Sequence, residues 1–101
     1  GPHNLTIEII GVGEVEMSNG NLINQTNTGW VDQRYGGVST PFEVKSGTFQ
    51  NWEVIPSGIY SYDPLLDTMS LDLQGDVTVI ANFIPPPPPV ETRDITFKVN
   101  P

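Results

Sequence analysis

β-Branched residues dominate the stretch Val77-Thr78-Val79-Ile80-Ala81-Asn82-Phe83, which carries the strongest strand signal in the chain. Valine, isoleucine and threonine favour extended backbone because their branched side chains pack well on a pleated surface. The run is nearly continuous rather than strictly alternating, which is typical of a strand inside a sheet rather than at its edge. The sequence therefore predicts a β-domain with this stretch in a central position.

Upstream of this stretch, apolar and polar residues alternate with a period of two, as in half-buried strands. The alternating or apolar-anchored segments are 5–9, 14–17, 42–45, 48–55 and 69–73. No window shows helical periodicity over ten residues, and Asp63-Pro64 is compatible with one helical turn at most. We predict a turn at Ser46-Gly47 and a long loop or weak hairpin over residues 21–38.

Five consecutive prolines, residues 85–89, follow the predicted central strand. Proline fixes φ and lacks an N–H, so this run predicts a polyproline II linker rather than part of a helix or sheet. Residues 4–84 are then one β-rich module, and residues 90–101 the first strand of a following module or an ordered tail. Residues 1–3, Gly-Pro-His, resemble the remnant of a cleaved tag.

The charge of the chain argues against two classes of partner. Twelve acidic and four basic residues give a formal net charge of −8. Charges within residues 85–101 cancel, so the excess lies on the predicted module, where only Arg34 and Lys45 are basic. Nucleic-acid binding needs clustered lysine and arginine, and we expect none here. We also expect no membrane insertion, because no apolar run approaches the roughly 20 residues that cross a bilayer.

The residue inventory argues against catalysis. The chain has no cysteine, and its one histidine, His3, lies in the apparent tag remnant. Thiol nucleophiles, thiolate metal sites and Ser-His-Asp arrangements are therefore excluded from the module. A pair of carboxylates could hydrolyse a glycosidic bond, but so small a β-domain offers little room for the cleft. We predict no enzymatic activity, no catalytic residues and no cofactor.

Six polar or aromatic residues are the candidate ligand-binding set. Sugar recognition needs a flat aromatic face with amides or carboxylates nearby. The polar region around residues 21–38 and the roomy segment around residues 56–66 supply these residue types, namely Trp30, Asp32, Gln33, Tyr35, Tyr60 and Tyr62. The alternative is that Trp30 and Tyr35 pin a loop to the core. A spacer domain should bury both aromatics, whereas a sugar binder should leave at least one of them open. For Trp52 and Phe49 we predict core packing rather than a sugar platform.

Four aspartates near the carboxyl end of the module raise the question of a calcium site, because Ca²⁺ takes several oxygen ligands. They are Asp63, Asp67, Asp72 and Asp76. Their spacing does not match an EF-hand loop, so we predict solvated carboxylates on turns and strand faces and assign no metal site. One weak calcium site stays open as an alternative.

The order of three short motifs resembles the divergent InlB B-repeat-like domains of bacterial secreted and surface proteins, including those of Bacteroidetes. The motifs are Gly11-Val12-Gly13-Glu14-Val15, then Gly47-Thr48-Phe49-Gln50-Asn51-Trp52, then Gly75-Asp76-Val77-Thr78-Val79-Ile80-Ala81-Asn82-Phe83. The match covers most of residues 5–84, with longer stretches than the family shows at 21–38 and 56–66. The resemblance implies a small β-rich fold, β-grasp-like, and a spacer or adhesive role.

Together these observations predict a mainly β, small single domain, either β-grasp-like or a compact β-sandwich, with little or no helix. The predicted function is a non-catalytic spacer or adhesive module of a multidomain secreted or cell-surface bacterial protein. Its partners would be neighbouring domains of the same polypeptide, with a glycan or a surface protein as further candidates. The alternative function is a carbohydrate-binding module that uses the loop aromatics.

Overall fold

A computed structural model describes residues 2–85 of the chain. These residues form seven β-strands and no helix, which confirms the prediction of a small, mainly β domain. The strands are β1 (Pro2–Ile10), β2 (Gly13–Met17), β3 (Leu22–Asn24), β4 (Trp30–Tyr35), β5 (Ser39–Ile55), β6 (Thr68–Asp72) and β7 (Val77–Ile84). Within this part of the chain, no helix is long and apolar enough to cross a membrane.

The strands form one strongly curved, nearly closed sheet in the order β3-β2-β5-β7-β1-β4, with β6 attached to the other side of the first half of β5. The 17-residue strand β5 joins the two halves of this sheet. Its first half pairs with β2 and β6, and its second half pairs with β7. All pairings are antiparallel except that of β1 with β7, which is parallel. The predicted central position of residues 77–83 is confirmed, because β7 lies between β5 and β1.

Two local predictions were wrong. Residues 21–38 are neither a loop nor a hairpin, because they contain β3 and β4, which pair with β2 and β1 rather than with each other. Ser46-Gly47 does not reverse the chain, because β5 continues through it. Gly47 has a φ of +96°, and β5 carries two register irregularities, one at Lys45 opposite the Glu14–Val15 step of β2 and one at Gln50 between Phe49 and Asn51. Such irregularities bend a strand and increase its twist, so β5 passes from one half of the sheet to the other.

The amino-terminal residues excluded from the fold prediction extend the first strand. Pro2 and His3 lie in β1 opposite Tyr35 and Arg34 of β4. Their origin as a tag remnant stays a prediction, as does the linker over residues 85–89, of which only Pro85 is described. The predicted strand or tail over residues 90–101 lies outside the described residues. Asp63-Pro64 forms no helix, and the Asp63 carboxylate instead accepts a hydrogen bond from the Leu65 N–H at 2.9 Å, as in an Asx-turn.

The inner faces of the strands supply the core. Its buried residues are Leu5, Ile7, Ile9, Val15, Met17, Ile23, Phe42, Trp52, Val54, Met69, Leu71, Leu73, Val77, Val79, Ala81 and Phe83. Trp52 is only 1% exposed, and its indole N–H donates a hydrogen bond to the Leu66 carbonyl oxygen at 2.7 Å. The core role predicted for Trp52 and Phe49 is confirmed: Trp52 is buried, and the partly buried Phe49 packs on it with a ring-centroid separation of 5.0 Å.

Three segments that are distant in sequence meet around the side chain of Phe83. A Cβ atom added to Gly13 would lie 2.3 Å from the Phe83 ring, and one added to Gly47 would lie 2.8 Å from it. A Cβ on Gly11 would lie 2.3 Å from the Phe83 carbonyl oxygen, and the Phe49 ring lies 5.7 Å from the Phe83 ring. Gly13 and Gly47 therefore create the space that the ring of Phe83 fills, and Gly11 allows the close approach of the Phe83 backbone.

Candidate functional site

The predicted ligand-binding residues of β4 lie on two opposite faces of the sheet. Trp30 and Asp32 stand opposite the fully buried Ile7 and Leu5, so they lie on the core side of this edge strand. Gln33 and Tyr35 occupy the alternate positions of β4, so they lie on the outer side of the sheet. Trp30 and Tyr35 therefore cannot form one continuous aromatic platform. Their separation of five residues would have shown this from the sequence, had residues 30–35 been recognised as a strand.

The exposure of the two aromatics differs as well. Tyr35 is 65% exposed, whereas Trp30 is 38% exposed at the edge of the core. Tyr35 thus has the open face expected of a sugar-binding residue, with Gln33 two residues away on the same side. Neither aromatic is buried, so the burial of both side chains that we expected of a spacer domain is not met, and at least Tyr35 meets the expectation for a sugar binder.

Asp32 is occupied by an ion pair. Its carboxylate lies 3.2 Å from the Arg34 guanidinium, with both side chains about three-quarters buried. Asn19 contacts the same carboxylate at 3.5 Å. The second terminal nitrogen of Arg34, Nη2, is buried and has no hydrogen-bond partner among the described residues. Asp32 also lies opposite Leu5 on the core side of β4, so its carboxylate is engaged in an ion pair that a ligand would have to displace.

The two tyrosines of the β5–β6 connection both pack against the core. The Tyr60 hydroxyl oxygen accepts a hydrogen bond from the Gln74 backbone N–H at 2.9 Å, and so ties this connection to the segment between β6 and β7. Tyr62 lines a surface groove of about 510 Å³, and Tyr60 borders a second one of about 400 Å³. Two of the six predicted residues thus border concave surfaces, and the larger of these two grooves contains Tyr62.

This groove has a volume of about 510 Å³, within the usual range for ligand sites. It lies across β2, β5 and β6 beside the β5–β6 connection, and its lining residues are Glu16, Met17, Ser18, Pro41, Phe42, Glu43, Ser61, Tyr62, Asp63, Thr68, Met69 and Ser70. Glu16, Glu43 and Thr68 are direct cross-strand neighbours on the solvent face of the sheet. The groove thus combines an aromatic side chain with three carboxylates and several hydroxyl groups.

One cation lies next to these carboxylates. The Lys45 ammonium is 3.6 Å from Glu43 and 3.9 Å from Glu16. All three side chains are well exposed, so this pairing contributes little to stability. Lys45 balances only part of the negative charge along the groove, which also includes Asp63. Glu16 and Glu43 were missed in the sequence because their proximity arises only from the pairing of β2 with β5.

Of the four aspartates considered for calcium binding, three carboxylates accept hydrogen bonds from backbone N–H groups in different parts of the domain. Asp72 accepts a hydrogen bond from the Gly37 N–H at 2.6 Å, and Asp76 accepts one from the Asn4 N–H at 2.9 Å. The Asp63 carboxylate accepts the hydrogen bond from the Leu65 N–H that was described above. Within residues 2–85, no group of three or more carboxylate or histidine side chains is placed to hold a metal ion.

Comparison with family models, with curated proteins and with solved structures returned no match to this chain. The resemblance to the divergent InlB B-repeat-like domains therefore stays a prediction.

Proposed function

We propose that this chain is a non-catalytic spacer module in a multidomain bacterial protein that is secreted or displayed on the cell surface. One observation carries the proposal. The first and last described strands, β1 and β7, are parallel neighbours, with Leu5 opposite Val77 and Ile10 opposite Asn82. Because parallel strands point the same way, the chain enters at one end of the domain and leaves at the other.

This arrangement suits a module placed between two others. In the register of β1 with β7, Ile84 lies ten residue positions beyond Pro2 along the shared strand axis. This separation corresponds to about 30 Å. Neighbouring domains attached at the two ends would be held apart by at least this distance. The acidic composition adds repulsion between copies, which favours an extended string over a collapsed one. The absence of cysteine and of any histidine beyond His3 supports the non-catalytic part of the proposal.

Small-angle X-ray scattering on tandem repeats of the full chain tests the spacer role. For one, two and three copies joined end to end, the maximum dimension should rise by a constant step of at least about 30 Å per copy. A maximum dimension that stops growing after the second copy would mean that the modules fold back on one another. That result would contradict the spacer role.

Carbohydrate binding is the second candidate function, and the groove beside Tyr62 is the observation that favours it. An aromatic ring, three carboxylates and the hydroxyls of Ser18, Ser61 and Ser70 line one concave surface. A sugar ring offers C–H groups to the aromatic side chain and hydroxyl groups to the carboxylates. This arrangement favours a sugar site across β2, β5 and β6 over one on the two faces of β4.

A glycan array with four proteins separates these sites. Glu43→Gln removes one groove carboxylate from an exposed position, and Glu53→Gln makes the same change on an exposed residue of β5 that does not line the groove. If sugars bind in the groove, binding falls in Glu43→Gln and persists in Glu53→Gln and Tyr35→Ala. If binding is lost only in Tyr35→Ala, the outer face of β4 is the site. If the wild-type protein binds no glycan, the second candidate function is excluded for the sugars on the array.

A further inference from the structure

We propose that β1 and β7, here called the terminal strand pair, make this domain resistant to mechanical tension applied through its two ends. This inference rests on the proposed spacer function and adds to it a force-transmitting role. Tension from the preceding module pulls β1 towards its amino end. Tension from the following module pulls β7 towards its carboxyl end. Since the two strands are parallel neighbours, these forces act in opposite directions along one shared interface.

The hydrogen bonds of the terminal strand pair are therefore loaded together. Six residue pairs are in register from Leu5–Val77 to Ile10–Asn82. Bonds between parallel strands are evenly spaced and run across the strand axis, so sliding strains all of them at once. At the amino end, the Asp76 carboxylate accepts a further hydrogen bond from the Asn4 N–H at 2.9 Å. Pulling the same strands apart from one end would instead break these bonds one after another.

Side-chain burial opposes sliding independently of the hydrogen bonds. Leu5, Ile7 and Ile9 of β1 face the core and are almost completely buried. If β1 slipped by one residue along β7, its apolar side chains would move from the core face to the solvent face. Polar residues such as Thr6 and Glu8 would then face the core. Restoring the pattern needs a slip of two residues, or about 7 Å, over which the packing is lost. The native register is thus separated from the next acceptable one by a wide barrier.

Both strands of the pair are also held on their other edges. β1 pairs with β4 over six residue pairs, and β7 pairs with β5 over seven. Just beyond β1, the backbone of Gly11 lies so close to the Phe83 carbonyl that a Cβ there would be 2.3 Å from the oxygen. The terminal strand pair is therefore the centre of a four-stranded block, and neither strand can be peeled from an open edge.

Single-molecule force spectroscopy with two attachment geometries tests this inference. In the first, full chains joined through their amino and carboxyl ends load the terminal strand pair in shear. In the second, tension acts between the amino end and a cysteine at residue 75, which lies beside Asp76 at the same end of the pair as Asn4. An added Cβ at Gly75 meets no atom within 4 Å, so Gly75→Cys should fold normally. The chain has no other cysteine, so the attachment is unique.

We expect the unfolding force in the first geometry to exceed that in the second by about twofold or more, because the bonds fail together rather than in sequence. Each shear event should release about 260 Å of chain, which identifies unfolding of the whole of residues 2–84. Equal forces, or a larger force in the second geometry, would overturn the inference. Gln74→Cys, at an exposed neighbouring position, gives the same comparison if Gly75→Cys proves unstable. Failure here would leave the spacer role standing, since scattering tests that role separately.

Discussion

Replacing Gly47 by alanine should destabilise the domain much more than the same replacement at Gly20, although both glycines have a similar backbone conformation. Their φ angles are +96° and +86°, a region in which a side chain costs about 1–2 kcal/mol. The surroundings differ. At Gly20, an added Cβ meets no atom within 4 Å. At Gly47, it would lie 2.6 Å from the Val12 carbonyl oxygen, 2.7 Å from the Gly13 Cα and 2.8 Å from the Phe83 ring.

The magnitude follows from these contacts. Two of the three atoms near Gly47 belong to backbone that is fixed by the pairing of β2 with β5, so they cannot move aside independently. Overpacking of this kind costs about 1–3 kcal/mol. The total for Gly47→Ala is then about 2–5 kcal/mol, against about 1–2 kcal/mol for Gly20→Ala. The entropy that alanine removes from the unfolded chain is the same in both variants and cancels in the comparison.

Urea denaturation followed by tryptophan fluorescence measures the difference. A domain of this size is stable by roughly 4–13 kcal/mol, so Gly20→Ala should remain folded in water. With a slope of about 1 kcal/mol per molar urea, the midpoint of Gly47→Ala should lie about 1–3 M below that of Gly20→Ala. Equal midpoints would refute the reasoning, because they would show that the ring of Phe83 and the backbone of β2 yield without cost. The close packing of Gly13 and Gly47 against Phe83 would then not exist in solution.

Two further predictions concern the connection between β5 and β6. Trp52→Phe removes the indole N–H, leaves the Leu66 carbonyl oxygen without its partner and opens space in the core, so the free energy of unfolding should fall by about 2–4 kcal/mol in the same denaturation assay. Tyr60→Phe removes the acceptor of the Gln74 N–H and should cost about 1 kcal/mol. The matched change Tyr35→Phe, at an exposed hydroxyl, should alter stability by less than about 0.5 kcal/mol. A Tyr60→Phe variant as stable as Tyr35→Phe would show that water replaces the lost hydrogen bond.

The candidate site was only partly accessible from the sequence. Tyr62 was singled out as an aromatic residue of a roomy segment and Asp63 as one of four aspartates considered for calcium, and both line the groove. Glu16 and Glu43 were not, although each alternates with apolar neighbours on a predicted strand. Alternation shows that a residue faces solvent, but it does not show which strand lies beside it. These two carboxylates are adjacent only because β2 pairs with β5 in a particular register.

The two aromatic residues of β4 also show that local sequence suggested a site but strand pairing decided its geometry. The composition of residues 30–35 drew attention to a possible sugar site, but the stretch was predicted as a loop or weak hairpin. Once it pairs with β1, the two-residue period of a strand places Trp30 and Tyr35 on opposite faces. Three residue types that favour strands, at Trp30, Val31 and Tyr35, were present in this stretch, but the polar and glycine-rich residues around it obscured their signal.

The sequence by itself determined the class of the domain, most of its strands and much of its core, including Trp52 and the central strand that ends near Phe83. These properties follow from a period of two and from β-branched composition, which are local and can be recognised in one segment at a time. Only the tertiary structure decided that β5 is one bent strand, that β3 and β4 lie apart, and that β1 and β7 run parallel through the centre. Strand partners and direction depend on contacts between residues as far as 72 positions apart, as between Leu5 and Val77, and no local pattern encodes them.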